Sequence, residues 1–158
     1  MYKHILFATD LIPESLAVGQ RALAVAKLFN AKFSILHVIE PPVTYRDHSA
    51  VYSEAFKELT THGAESLQEF GKKLGIDVKN QYLNIGTPKF EISDKAKEID
   101  ADLIVVASHG AGGFRHAMGS TSQGIINAIP CDILILNINT LSPVKTKDDR
   151  IFFARRSA

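Results

Sequence analysis

The sequence predicts an α/β domain built on an open, doubly wound parallel sheet. Short, near-continuous apolar runs rich in β-branched residues recur along the chain, as suits strands covered on both faces. Between them lie longer segments whose apolar residues repeat at helical spacing. The two alternate as β-α-β-α-β-α-β-α-β, an order whose right-handed crossovers place helices on both sides of a parallel sheet.

The first run, residues 4–8 (HILFA), leads to Asp10. A helix follows, with Val18, Ala22, Val25 and Phe29 at spacings of four, three and four along one face. Pro13 suits its first turn, and Asn30 can end it in the left-handed conformation. The second run is residues 32–38 (KFSILHV). The next helix carries Tyr52, Phe56, Leu59, Gly63, Leu67, Phe70 and Leu74 on one stripe and stops at Gly75. Residues 78–85 mix Lys, Asn and Gln with Val, Tyr and Leu, the pattern of an edge strand. A third helix, residues 88–99, presents Ile92, Ala96 and Ile99. Residues 103–107 (LIVVA) read as the fourth strand. A fourth helix is expected to start near Ser120 and to bury Ile125, Ile126 and Ile129 before Pro130. Residues 132–136 (DILIL) complete the sheet. A single domain is expected over residues 1–139. Residues 140–158, with clustered charges and the isolated pair Phe152 and Phe153, read as a tail that is flexible or packed on a partner.

A chain of 158 residues that is 46% hydrophobic and 22% charged has ordinary globular composition and enough length to bury a core. Eighteen Lys and Arg against seventeen Asp and Glu leave a net charge of +1, with no electrostatic footprint for nucleic acid or an anionic membrane. The apolar runs fall far short of the roughly 20 residues that span a bilayer. The opening MYKHILFATD lacks the apolar stretch and cleavage site of a signal peptide. With one cysteine, Cys131, no internal disulfide can form, and a reducing cytoplasm is the expected compartment.

In sheets of this kind ligands sit beyond the carboxyl ends of the strands, where the strand order reverses. Asp10 falls there, with Ala8 and Thr9 alongside. Its carboxylate can accept from a ribose hydroxyl, or it can cap the following helix, a role open to Ser15 as well. The fourth run is followed by ASHGAGGFRHAMGSTS, residues 107–122. Glycine lets backbone N–H groups approach an anion closely, and a helix starting near Ser120 would aim its unsatisfied donors at the same place. The hydroxyls of Ser120, Thr121 and Ser122 would add donors to phosphate oxygens. The alternative is a mobile connection through Gly110, Gly112 and Gly113, with Ser120 as a plain helix cap. His109 is a candidate phosphate or ribose contact, while Arg115 and His116 read as a solvated face.

Other chemistries are disfavoured. The loop lacks the Gly-Lys-Ser or Gly-Lys-Thr ending of a Walker loop, and the first strand leads to DLIPES, without the glycines of a dinucleotide fingerprint. The six histidines show no metal-ligand spacing, so no metal site is expected. His37, inside a strand, reads as a satisfied core or rim histidine. No nucleophile elbow occurs, Cys131 reads as buried and inert, and no catalytic residue is assigned.

Taken together, these residues resemble the universal stress proteins, the UspA-like domain, over residues 2–138. The resemblance rests on Tyr2-Lys3-His4-Ile5-Leu6, Thr9-Asp10-Leu11, Pro13-Glu14-Ser15, Leu36-His37-Val38, Ala101-Asp102-Leu103-Ile104-Val105, Ser108-His109-Gly110, Gly119-Ser120 and Pro130-Cys131-Asp132-Ile133-Leu134. It implies a five-stranded sheet in the order 3-2-1-4-5, a flavodoxin-like or Rossmann-like three-layer sandwich. It also implies a cytoplasmic role in stress response and a homodimer through the last strand, residues 131–138, which opens at Cys131 and closes at Ile138. Members that bind ATP carry Gly, two residues, Gly, nine residues, Gly, then Ser or Thr. Here the first position is Ala107, the second Gly110, and the final pair Gly119-Ser120 follows after eight residues.

Carried over by resemblance, adenine and ribose contacts fall on Ala8, Asp10 and Val38. Ribose or phosphate contacts fall on Ala107 and His109, and phosphate contacts on Gly110, Gly119, Ser120 and Thr121. The expected ligand is ATP or AMP, with Mg2+ accompanying ATP alone, bound with altered loop geometry. The alternative is a dimeric interaction module whose pocket is vestigial and holds no cofactor. A slow ATPase ranks third, since no residue stands out to position an attacking water.

Overall fold

The computed structural model describes residues 1–41, 50–108 and 130–138, with side chains in the second helix described from residue 54 onward. In chain order the elements are β1 (His4–Thr9), α1 (Ser15–Phe29), β2 (Lys32–Ile39), α2 (Ala50–Leu74), a short 3-10 turn (Val78–Asn80), β3 (Gln81–Ile85), α3 (Pro88–Glu98), β4 (Leu103–Ser108) and β5 (Asp132–Asn137). The fourth helix expected near Ser120 and the tail of residues 140–158 lie outside the described residues.

All four strand pairings are parallel, and the five strands run β3-β2-β1-β4-β5, the order expected above. From β1 the chain moves outward through β2 to β3, then returns across the sheet to place β4 on the other side of β1. The strand order therefore reverses between β1 and β4. Ala8 marks that seam, lying opposite Leu36 of β2 and Val106 of β4.

Alternation along the strands divides the core in two. Ile5, Phe7, Phe33, Ile35, Leu103 and Val105 face α1 and α2, where they meet Val18, Ala22, Ala26, Leu67, Phe70 and Leu74. Leu6, Leu36, Ile104 and Val106 face the other way, against Ile92 and Ala96 of α3. Ile5, Leu6, Phe7, Ile35, Leu36, Ile104 and Val105 are fully buried. Each such side chain contributes about 1.5–3 kcal/mol relative to exposure.

On the α3 side the polar residues are matched. The His4 ring places Nδ1 2.8 Å from the Ile99 carbonyl and Nε2 2.9 Å from the buried Ser34 hydroxyl. A nitrogen facing a carbonyl must carry the proton, so Nδ1 donates to Ile99, and in the neutral ring Nε2 accepts from Ser34.

The three described helices stop in one common way. Asn30 (φ 52°), Gly75 (φ 70°) and Asp100 (φ 52°) follow α1, α2 and α3 in the left-handed conformation. The next residue's N–H then reaches back: Ala31 to the Ala26 carbonyl at 2.9 Å, Ile76 to Gly71 at 2.9 Å, and Ala101 to Ala96 at 2.8 Å. This is the Schellman arrangement. The Asn30 and Gly75 stops match the expectation.

The strand expected over residues 78–85 starts later. Asp77, Val78, Lys79 and Asn80 are consumed by the 3-10 turn, closed by the Asn80 N–H on the Asp77 carbonyl at 2.9 Å, and Val78 is exposed. Pairing with β2 begins only where Gln81 meets Ile35.

Candidate functional site

β1 delivers its last residues to the reversal point as a bonded turn. Thr9 is buried, and its hydroxyl oxygen accepts the Leu11 N–H at 3.1 Å. Asp10 is exposed, one residue beyond the strand. Its Oδ1 accepts the Ser15 hydroxyl at 2.5 Å and the Ile12 N–H at 3.3 Å. Between them Leu11 holds φ 62°, a conformation that costs a residue with a Cβ about 1–2 kcal/mol.

Both capping alternatives are thereby decided in detail. The residue capping α1 is Glu14, in right-handed helical geometry and without a side-chain cap bond. Ser15 is the first helical residue, fully buried, and its hydroxyl points to Asp10. Asp10 therefore closes the turn that feeds α1, through Ile12 and Ser15.

The neighbouring positions separate by sheet face. Ala8 and Val38 pack on the α3 side of the sheet. Ala107, opposite Leu136 of β5, packs on the α1 and α2 side. Its methyl group therefore stands on the opposite face from Ala8 and Val38. Asp10, past the end of β1, lies at the rim between them. His109, Gly110, Gly119, Ser120 and Thr121 lie outside the described residues, as do Gly112 and Gly113.

A cleft opens beside Asp10 on the α1 and α2 side, about 260 Å³ in volume. Asp10 and Leu11 form one wall, His37 and Ile39 of β2 the floor, and Leu59, His62, Gly63 and Ser66 of α2 the other wall. His37 Nδ1 lies 2.9 Å from the Thr9 carbonyl, so it donates there and Nε2 is the acceptor, a satisfied rim histidine as expected. His62 Nδ1 lies 3.3 Å from the Ser66 hydroxyl one turn away. Leu59, expected in the core stripe, is 45% exposed at this rim. The sequence reading missed the cleft because it unites β2 with α2. The His62 and Ser66 pair at i,i+4 beside Gly63 is the signal that was present.

Gly63 brings α2 close to β2: an added Cβ would stand 2.7 Å from Ile39 Cδ1. Among the described residues no group of three or more His, Cys, Asp or Glu is placed to hold a metal ion, and no helix is long and apolar enough to cross a membrane.

Cys131, just before β5, is half-buried, and its thiol is pushed up to about 11. Burial is the largest cause, followed by the negative charges of Asp102 and Asp132, against a backbone hydrogen bond with Ile104 that pulls it down. Such a thiol is a poor nucleophile near neutrality. β5 forms an edge of the sheet, and Ile135 on it is 46% exposed.

A family model described as the universal stress protein family matches residues 1–137. Universal stress protein A homolog 1 of Coxiella burnetii is 34% identical over 136 residues, covering 84% of this chain and 94% of the relative. Among solved structures, universal stress protein UspA from Lactobacillus plantarum superposes with a TM-score of 0.64 at 24% identity, covering 85% of this chain and 97% of its own. A universal stress protein in complex with cAMP gives a TM-score of 0.59 at 22% identity, over 87% of this chain and 98% of its own. These structures share the fold.

Proposed function

Since the chain belongs to the universal stress protein family, we propose that it is a stress-response protein that binds adenine nucleotide at the carboxyl ends of β1 and β4. The observation that carries this reading is the place of Asp10: at the reversal of strand order, held by its own turn, and adjacent to the β4 end that leads into the glycine-rich segment. An exposed carboxylate there accepts ribose hydroxyls, while Ala8 and Val38 offer an apolar seat for the base on the α3 side.

The Ala107 methyl supports the reading, because it lies on the far side of the sheet from that seat. In this proposal His109, Gly110, Gly119, Ser120 and Thr121 serve the phosphates, with Mg2+ accompanying ATP. The bound cAMP in a structural neighbour is consistent with a nucleotide in this fold. The domain, residues 1–139, pairs into a homodimer through the β5 edge, where Ile135 is exposed. It works in the cytoplasm, and its output is interaction rather than turnover.

Calorimetric titration with ATP and Mg2+ to millimolar concentration tests the reading. Saturable heat and a rise in melting temperature are expected, since a ligand that binds only the folded state stabilises it. Absence of both overturns it.

One observation favours a second reading, a dimeric interaction module with an empty pocket. The Asp10 carboxylate already serves the turn into α1, as a purely structural residue would. Adenine nucleotide released by acid from the purified protein would count against that alternative.

A further inference from the structure

We propose that Ser15 is a positioning residue: its buried hydroxyl fixes the direction in which Asp10 presents its carboxylate to a bound ribose. The inference rests on the nucleotide reading and deepens it, assigning ribose recognition to a pair of which only one member meets the ligand.

Ser15 is wholly buried, whereas Asp10 is exposed, so solvent and ligand reach the acid and not the hydroxyl. The bond between them, 2.5 Å from Ser15 Oγ to Asp10 Oδ1, has the length of a charge-assisted O–H···O⁻ contact. The same oxygen accepts the Ile12 N–H at 3.3 Å, so two donors from the turn hold one carboxylate oxygen.

Capping does not account for this grip. Glu14 occupies the cap of α1 without any side-chain bond, and the Ser15 hydroxyl turns away from the helix amides to reach Asp10. The turn is also held in a shape its sequence does not favour. Leu11 adopts φ 62°, which glycine would adopt without strain, and its N–H is bonded to Thr9 Oγ1. Such a conformation persists only where surrounding bonds over-determine it. The result is a carboxylate with little side-chain freedom left to lose, which is how preorganisation raises affinity.

A hydroxyl donor on the ligand should feel that orientation, and the rest of the nucleotide should not. The experiment measures affinity for ATP and for 2′,3′-dideoxy-ATP in the full-length protein and in Ser15→Ala and Ser15→Thr, with melting temperatures alongside. Ser15→Ala should weaken ATP by about tenfold, one lost charge-assisted bond's worth of orientation, and leave dideoxy-ATP nearly unchanged. Ser15→Thr, which keeps the hydroxyl, should restore ATP. Equal weakening of both nucleotides, or of neither, overturns the proposal, and a lowered melting temperature with both affinities retained marks a merely structural role.

Side-chain couplings of Asp10 provide a readout independent of nucleotide. One χ1 rotamer in the natural protein that becomes an average in Ser15→Ala supports the positioning role, and identical couplings in the two proteins refute it. If the natural protein binds neither nucleotide, the nucleotide reading fails, and the couplings alone decide whether Ser15 holds Asp10.

Discussion

Asp102, the residue before β4, secures the start of β1. Its carboxylate accepts the backbone N–H of Lys3 at 2.7 Å and that of His4 at 3.1 Å, while its own N–H donates to the His4 carbonyl at 3.0 Å. The two ends of this clamp stand 98 residues apart in the chain. β1 is thereby pinned in register against β4 at the end opposite Asp10.

Removing the carboxylate should loosen that end. Asp102→Ala is expected to cost about 1–3 kcal/mol, because two backbone donors lose a charged acceptor. Asp102→Asn keeps one oxygen and should cost less. Urea unfolding of the two variants at neutral pH gives the comparison, and an alanine variant as stable as the natural protein would deny the clamp any weight.

The left-handed stops provide an opposite pair of outcomes. Asn30→Gly and Asp100→Gly should each stabilise by up to about 1 kcal/mol, because glycine adopts the left-handed conformation without the Cβ clash. Gly75→Ala places a Cβ at φ 70° with no neighbouring atom to blame, so backbone strain alone should destabilise it by about 1 kcal/mol. Thermal unfolding of the three variants checks both signs.

Gly19 lets α1 pack tightly against both α2 and β1. An added Cβ would stand 2.9 Å from Leu74 Cδ1 and 3.1 Å from the buried Phe7 ring. Gly19→Ala sets this crowding against a helix-propensity gain of about 1 kcal/mol and should change stability little. Gly19→Val adds more bulk with less of that gain and should destabilise by about 1–3 kcal/mol. The contrast between the two substitutions, read by chemical denaturation, is the diagnostic.

Cys131 should alkylate slowly. A thiol at about 11 exposes far less thiolate at pH 8 than an ordinary cysteine near about 8.5, so modification by iodoacetamide should keep accelerating up to the alkaline limit of folding. The linkage sign follows. The folded thiol holds its proton more tightly than the unfolded one, so its contribution to stability is full below about 8.5 and is lost as pH climbs towards about 11. A reaction rate that levels off near pH 9 would show the thiol to be unperturbed.

Much of this architecture could be read from local chemistry. The strands were legible because burial on both faces demands unbroken apolar runs such as residues 103–107, and the stops at Asn30 and Gly75 because those residue types tolerate positive φ. Asp100 was missed, since an aspartate more often signals a helix start. The 3-10 turn at Val78–Asn80 was missed because a β-branched residue before polar ones looks like strand until its exposure is known. At the site, the place of Asp10 followed from strand order alone. Its bond to Ser15 did not, because a serine at a helix entrance has two partners within reach and sequence does not choose between them. Side-chain parity at the carboxyl ends was likewise hidden: Val38 and His37 are consecutive, yet they serve opposite faces.

That parity gives the Asp102 clamp a consequence for divergence. Slipping β4 by one residue would exchange its two faces, turning Val105 towards the α3 side and the Ala107 methyl to the face that carries Ala8. The clamp resists such a slip. Substitutions at position 107 therefore explore the layer packed by α1 and α2 while the surface beside Ala8 keeps its shape, so the two faces can drift separately at one and the same strand end.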